Sequence, residues 1–240
     1  MALTVRDCIV VVAGLPALLA GVWGTVGLGP VGWLCGLAYG VVLFTLLFGR
    51  PTAGRRLGPA DRITLARALL VGGVTALVMD RLGDAAPPEL LVPLAGVALL
   101  LDAVDGPVAR HTSTTSATGA RFDMEVDAFL LLVLSLHAAA MLGPWVLAIG
   151  LMRYAFVAAG WFLPVLRAPL PFSRARQWVA ATQGIVLVAT GTAVLPVATA
   201  AALVAGALAL LMWSFGRDVA WLLGRSRCLG HPQPTTVGYV

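Results

Sequence analysis

Long apolar runs, broken by short polar or Gly-Pro joints, make up most of this chain. A membrane-spanning helix needs about 20 predominantly apolar residues. That ruler marks eight segments: Cys8–Leu28, Pro30–Phe48, Ile63–Asp80, Glu89–Ala109, Phe122–Leu142, Pro144–Leu166, Gln177–Leu195 and Pro196–Leu223. The predicted fold class is all-α, a polytopic integral membrane protein. There is no internal repeat, and the two halves place their charges differently. The pattern divides the chain into residues 1–49, with two N-terminal transmembrane helices, 50–227, with six more, and a polar tail, 228–240.

Composition agrees with a bilayer environment. The chain is 60% hydrophobic and 11% charged, whereas soluble domains carry about 25% charged residues. A net charge of +5 raises the question of nucleic acid. All 16 basic residues are Arg, however, and they lie mostly in short connections instead of forming a dense basic face, so no nucleic-acid partner is expected. Their distribution reads as topology. Arg6, Arg50, Arg55, Arg56, Arg62, Arg110, Arg121, Arg167, Arg174, Arg176, Arg217, Arg225 and Arg227 all fall on one side of the threading. The other side holds Gly29-Pro30, Gly143-Pro144, Leu195-Pro196 and the loop from Arg81 to Pro88. The positive-inside bias then puts both termini in the cytoplasm and the protein in the cytoplasmic membrane as a multi-pass chain. Cys8, Cys35 and Cys228 lack metal-type spacing. No cleavage region follows the first apolar run, so no removable signal peptide is expected.

Against this apolar background, four aspartates crowd one window, LDAVDGPVARHTSTTSATGARFDMEVD. An ionisable group within a bilayer costs roughly 2.5–3.5 kcal/mol on insertion scales, so the clustering calls for a function. Asp102 and Asp105 are an i,i+3 pair at the end of the fourth helix. Asp123 and Asp127 are an i,i+4 pair at the start of the fifth. Such pairs share a helix face, and the short polar link makes the two helices antiparallel neighbours, so four carboxylates can converge. Alone they would repel one another. Divalent cations such as Mg²⁺ prefer oxygen ligands and complete their shells with water and phosphate, and carboxylate clusters holding two such ions recur in phosphoryl transfer. Gly106, Ala109 and Gly119 leave room for a ligand, and Arg110 can pair with a phosphate. Carboxylates solvated at helix ends, or paired with Arg110 and Arg121, would leave the Gly, Ala and Arg spacings unexplained.

The pattern Asp102-x2-Asp105-Gly106-x2-Ala109-Arg110-x8-Gly119-x3-Asp123-x3-Asp127 resembles the signature of the CDP-alcohol phosphotransferase family, with every fixed position filled. Upstream, Asp61-Arg62-Ile63-Thr64-Leu65-Ala66-Arg67 is similar to that family's Asn-x-x-Thr-x-x-Arg opening, with Asp61 where Asn is common. The resemblance covers about Asp61 to Leu223. It implies a six-helix catalytic core to which the first two helices are an addition. It also implies a reaction: an alcohol attacks the lipid-bearing phosphorus of a CDP-linked lipid such as CDP-diacylglycerol, and CMP leaves. Asp102, Asp105, Asp123 and Asp127 would hold two Mg²⁺, with Mn²⁺ as a substitute, and Asp127 would also serve as general base. Thr64, Arg67, Gly106, Ala109, Arg110 and Gly119 would contact the CDP-lipid. The family resemblance further implies a homodimer.

For the acceptor, Arg153 lies within the sixth helix, and an intramembrane Arg is a functional candidate by default. Arg174 and Arg176 begin the seventh helix, where topology explains them equally well. Together they point to a phosphorylated acceptor, glycerol 3-phosphate first and an inositol phosphate second. A transporter or cation-binding membrane protein is the competing function class. It would spread its charges through the bilayer depth and use paired broken helices, whereas these acids gather at one face. A relative that has lost catalysis is the third reading, although all four aspartates are in place.

Overall fold

The computed structural model describes residues 5–48, 59–82, 86–111, 117–163, 165, 173–192 and 194–229; within its helices, the side chains of 5–9, 48, 59–60, 105–111, 117–118 and 225–229 lie outside that description. Among the described residues there are eight α-helices and no strand. They are α1 (Val5–Val26), α2 (Pro30–Phe48), α3 (Pro59–Asp80), α4 (Pro88–His111), α5 (Ala117–Leu142), α6 (Leu147–Phe162), α7 (Arg174–Thr190) and α8 (Val197–Leu229). Each predicted segment corresponds to one of them. Five meet the length and apolarity of a membrane span among the described residues, namely α2, α3, α5, α8 and the stretch Pro144–Phe162. Helix α1 contributes a shorter apolar run, Val10–Val26. Helix α4 carries Glu89, Asp102 and Asp105, and α7 has only 17 residues. The protein is an all-α, multi-pass membrane protein.

Among the boundaries that differ from the sequence pattern, two have clear local causes. The run expected as one helix from Pro144 opens with a 3₁₀ turn, Pro144–Val146, before α6 begins. Gly143 takes φ 100°, a left-handed conformation open to glycine, and Pro144 has no N–H to extend the preceding helix. Helix α7 stops at Thr190 instead of Leu195, because the Gly191 and Thr192 N–H groups close onto Val188 (3.0 Å) and Ala189 (3.2 Å) in tightened turns.

Helix α3 is the hub of the bundle and packs against α1, α2, α4 and α5. Within its span, 67% of the residues are buried, against 22% for α2, which faces outward. Leu65, Ala68, Val71, Val74 and Val78 join α4 and α5 residues such as Ala95, Ala98, Val126 and Leu130 in the main core, while Ala76 and Leu77 join Leu15, Leu19 and Val22 of α1 in a second cluster.

Helix α2 lies close on α3 through a stripe of glycines four residues apart. A Cβ on Gly32 would stand 2.9 Å from the Ala76 carbonyl oxygen, and one on Gly36 would stand 3.2 Å from the Ala76 Cβ. Gly40, next in the stripe, faces Leu15 of α1 at 2.7 Å. Small residues at this spacing let helix backbones approach within a bilayer. The α1–α2 turn is then tied to the end of α3. The Asp80 carboxylate accepts hydrogen bonds from the N–H groups of Gly29 (3.0 Å) and Gly32 (3.1 Å), capping α2 from a neighbouring helix, and Arg81 donates to the Val26 carbonyl at 3.4 Å. A side-chain cap on exposed helix N–H groups stabilises by about 1–2 kcal/mol. Asp80→Ala should therefore lower the thermal unfolding midpoint of the purified protein by several degrees; an unchanged midpoint would mean that the glycine stripe alone holds the hairpin.

Candidate active site

Position 67 of α3 lies one turn beyond Thr64 and one turn before Val71, on the face that α3 turns inward, and all three are buried. The residue there is an arginine with 0% of its side chain exposed. A guanidinium at that depth needs anionic partners, since an uncompensated charge costs several kcal/mol. Arg67 finds three. Its Nη1 pairs with Asp102 Oδ1 of α4. Its Nη2 pairs with Asp123 Oδ1 of α5 and lies 3.2 Å from Asp127 Oδ1, one turn further along α5. Nη2 also donates to the Asp123 backbone carbonyl at 3.3 Å.

The three carboxylates therefore meet. One oxygen from each of Asp102, Asp123 and Asp127 lies within 4.8 Å of the others. They are 38%, 30% and 36% exposed, whereas Arg67 is not exposed at all. The guanidinium forms the floor of the site and the carboxylates form its open rim. Hard oxygen donors converging from two helices, with part of their surface accessible, suit a divalent cation that keeps some positions for water and phosphate. This triad could hold a metal ion.

The remaining expected residues are distributed as follows. Asp105, Gly106, Ala109 and Arg110 fall on the α4 backbone, but their side chains lie outside the described residues. Gly119 stands four residues before Asp123 in the first turn of α5, on the stripe that continues to Asp127. Thr64 is buried one turn before Arg67. Arg153 of α6 pairs with Glu125 and donates to the Met124 sulfur at 2.8 Å. Glu125 sits two residues from both Asp123 and Asp127, on the other side of α5 from the carboxylate stripe. Arg174 is exposed at the start of α7. Arg176 pairs with Asp218 of α8 at 3.3 Å, and Arg217 approaches the same carboxylate at 3.8 Å while lying over the Trp213 ring at 5.1 Å.

Three features here escape the sequence pattern. Arg67 is the counter-charge of the aspartates, where the motif alone suggests a substrate contact. Glu125 and Asp218 hold the arginines that topology and acceptor binding explain in the sequence. The signal for Arg67 was present in its i,i+3 spacing from Thr64 on an apolar helix, which turns both inward. The other two pairs join positions 28 and 42 residues apart, for which local spacing holds no signal.

No curated protein and no solved structure matches the chain. A family model does: residues 58–223 match CDP-alcohol phosphatidyltransferase, a metal-dependent family that transfers a substituted phosphate group from a CDP-alcohol to a second alcohol. The matched segment runs from the start of α3 into α8 and contains Arg67 and every aspartate of the cluster. The chain belongs to the CDP-alcohol phosphatidyltransferase family.

Proposed function

We propose that this protein moves a phosphatidyl group from CDP-diacylglycerol to a small phosphorylated alcohol, releasing CMP, in the synthesis of phospholipid. The observation that carries this reading is the meeting of Asp102, Asp123 and Asp127 within 4.8 Å on two helices of the family segment. Asp105, three residues from Asp102 and on the same helix face, is assigned as the fourth ligand. Two Mg²⁺ ions, replaceable by Mn²⁺, suit such a set; when bound they neutralise the diphosphate and orient it for displacement.

The protein's own residues bind, orient and accept the proton. Thr64, Gly106, Ala109, Arg110 and Gly119 are assigned to the CDP pocket, where small residues leave space and Arg110 pairs with phosphate. The acceptor hydroxyl oxygen forms a bond to the phosphorus that carries diacylglycerol. The bond from that phosphorus to the bridging oxygen breaks, CMP departs with that oxygen, and the hydroxyl proton passes to an Asp127 oxygen. Arg67 holds Asp102, Asp123 and Asp127 at their spacing throughout. Arg153, Arg174 and Arg176 are assigned to the acceptor phosphate, with glycerol 3-phosphate ranked before an inositol phosphate. The aspartate end of the bundle and both termini face the cytoplasm on this reading, as the arginine distribution favours, and the protein works in the cytoplasmic membrane as a homodimer.

The decisive assay is CMP release from CDP-diacylglycerol with Mg²⁺ and either glycerol 3-phosphate, an inositol phosphate, inositol, serine or no acceptor. Acceptor-dependent CMP that disappears with EDTA is expected, and Asp127→Asn should reduce the rate by roughly 10²–10⁴-fold, the range for losing a general base. Folded protein that binds the nucleotide but releases no CMP with any acceptor would mark a non-catalytic relative. Arg153→Ala should raise the KM for glycerol 3-phosphate about tenfold, near the strength of one charge-assisted pair; an unchanged KM would leave Arg153 only the task of joining α6 to Glu125. Arg67→Gln removes the counter-charge from beneath the cluster. Because breaking a buried ion pair costs about 3–5 kcal/mol, this variant should unfold at markedly lower temperature in EDTA, with part of the loss restored by Mg²⁺. Equal losses with and without Mg²⁺ would argue that metal and guanidinium do not share the same carboxylates.

A further inference from the structure

The hairpin α1–α2 precedes the segment that matches the family, which begins at residue 58. One of its side chains nevertheless reaches α3 and α5, two of the three helices that meet at the site. The Tyr39 hydroxyl of α2 donates a hydrogen bond to the carbonyl oxygen of Ala68, at 2.9 Å. Ala68 is the residue after Arg67. The Tyr39 ring stacks on Phe129 of α5, with centroids 5.4 Å apart and planes inclined by 26°. Phe129 is two residues beyond Asp127. The ring also lies close to the α3 backbone at Gly72, where a Cβ would stand 2.9 Å from Tyr39 Cδ1. Tyr39 also packs against both hydrophobic clusters of the bundle, and so joins the hairpin to the main core.

We propose that Tyr39 is a positioning residue for the carboxylate site, setting the separation of α3 and α5 and making the N-terminal hairpin a working part of the active site. Those two helices are pinned at two successive levels. At the upper level, Arg67 pairs with Asp123 and Asp127. One turn lower, the Tyr39 ring lies against Gly72 on α3 and against Phe129 on α5, and its hydroxyl anchors it to α3. Interiors are close-packed and transmit displacement, so loss of the ring lets α3 and α5 shift and disturbs the arrangement in which oxygens of Asp102, Asp123 and Asp127 lie within 4.8 Å of one another. This inference rests on the carboxylates being the metal site.

The test is Mn²⁺ binding to the full-length protein, followed by the electron paramagnetic resonance of the free ion, alongside CMP release and thermal unfolding. Outer partners of metal ligands change affinity by roughly 10–100-fold, so Tyr39→Ala should weaken Mn²⁺ binding by roughly tenfold and lower kcat by a similar factor. Tyr39→Phe, which keeps the ring and loses only the hydrogen bond to Ala68, should recover most of the affinity. Gly72→Ala presses on the same ring from α3 and should weaken Mn²⁺ binding in the same direction. Asp80→Ala, at the far end of α3, should lower the unfolding temperature and leave Mn²⁺ affinity unchanged. If Tyr39→Ala is too unstable to purify, Gly72→Ala decides. Wild-type Mn²⁺ affinity in Tyr39→Ala, or in Gly72→Ala where Tyr39→Ala cannot be purified, would overturn the inference whatever the unfolding temperatures. Absence of saturable Mn²⁺ binding in the wild-type protein would instead overturn the metal reading on which it rests.

Discussion

The contact between one buried guanidinium and three carboxylates is the constraint from which the rest of this structure follows. Arg67 has no exposed surface, and a charge so placed is tolerated only when paired and hydrogen-bonded. Asp102, Asp123 and Asp127 have the opposite difficulty, because like charges within 4.8 Å repel one another. Each side relieves the other, and α3, α4 and α5 are thereby joined at one level. The balance is unequal. Three carboxylates against one guanidinium leave excess negative charge when all are ionised. A site arranged this way is attractive to a divalent cation.

Packing around that contact follows the rules of a bilayer. Lipid tails are as apolar as leucine side chains, so helices in a membrane gain little from hiding apolar surface against one another. Docking of the α1–α2 hairpin must come from close approach and from hydrogen bonds. Both are present. The stripe Gly32, Gly36 and Gly40 brings α2 against α3 and α1, and Asp80 and Tyr39 supply directional bonds near the two ends of the contact. The exposed apolar residues of α2, among them Val31, Leu34, Val41 and Leu46, need no protein partner in that environment.

The eight helices and the carboxylate cluster were legible in the sequence because both depend on short-range regularities. Apolar runs of spanning length betray helices in any order of packing, and i,i+3 and i,i+4 spacings place acids on a face without reference to the fold. What could not be read depends on which helices become neighbours. Arg67 meets acids 35 and 56 residues away, and Asp80 caps a helix that begins about 50 residues earlier. Tyr39 is separated from Ala68 by 29 residues. These contacts arise only once α3 occupies the centre, a position that its composition does not announce. The glycine stripe of α2 is an intermediate case. Its period of four was visible, but the partner it approaches was not.

The depth of the site explains why it is recessed and yet still open. A helix rises 1.5 Å per residue, so Asp127 lies about 9 Å along α5 from Arg121, and Arg67 about 8 Å along α3 from Arg62. Asp102 is about 12 Å along α4 from Arg110 by the same measure. On the proposed topology, the cluster sits one to two turns below the level that the arginines mark as the water boundary. At the boundary itself, water would screen the carboxylates and loosen their hold on Arg67 and on a cation. At the bilayer centre, no aqueous alcohol could reach them. On the proposed reading, that level would let a lipid-linked diphosphate and a water-soluble acceptor meet at the partly exposed carboxylates, above the fully buried guanidinium.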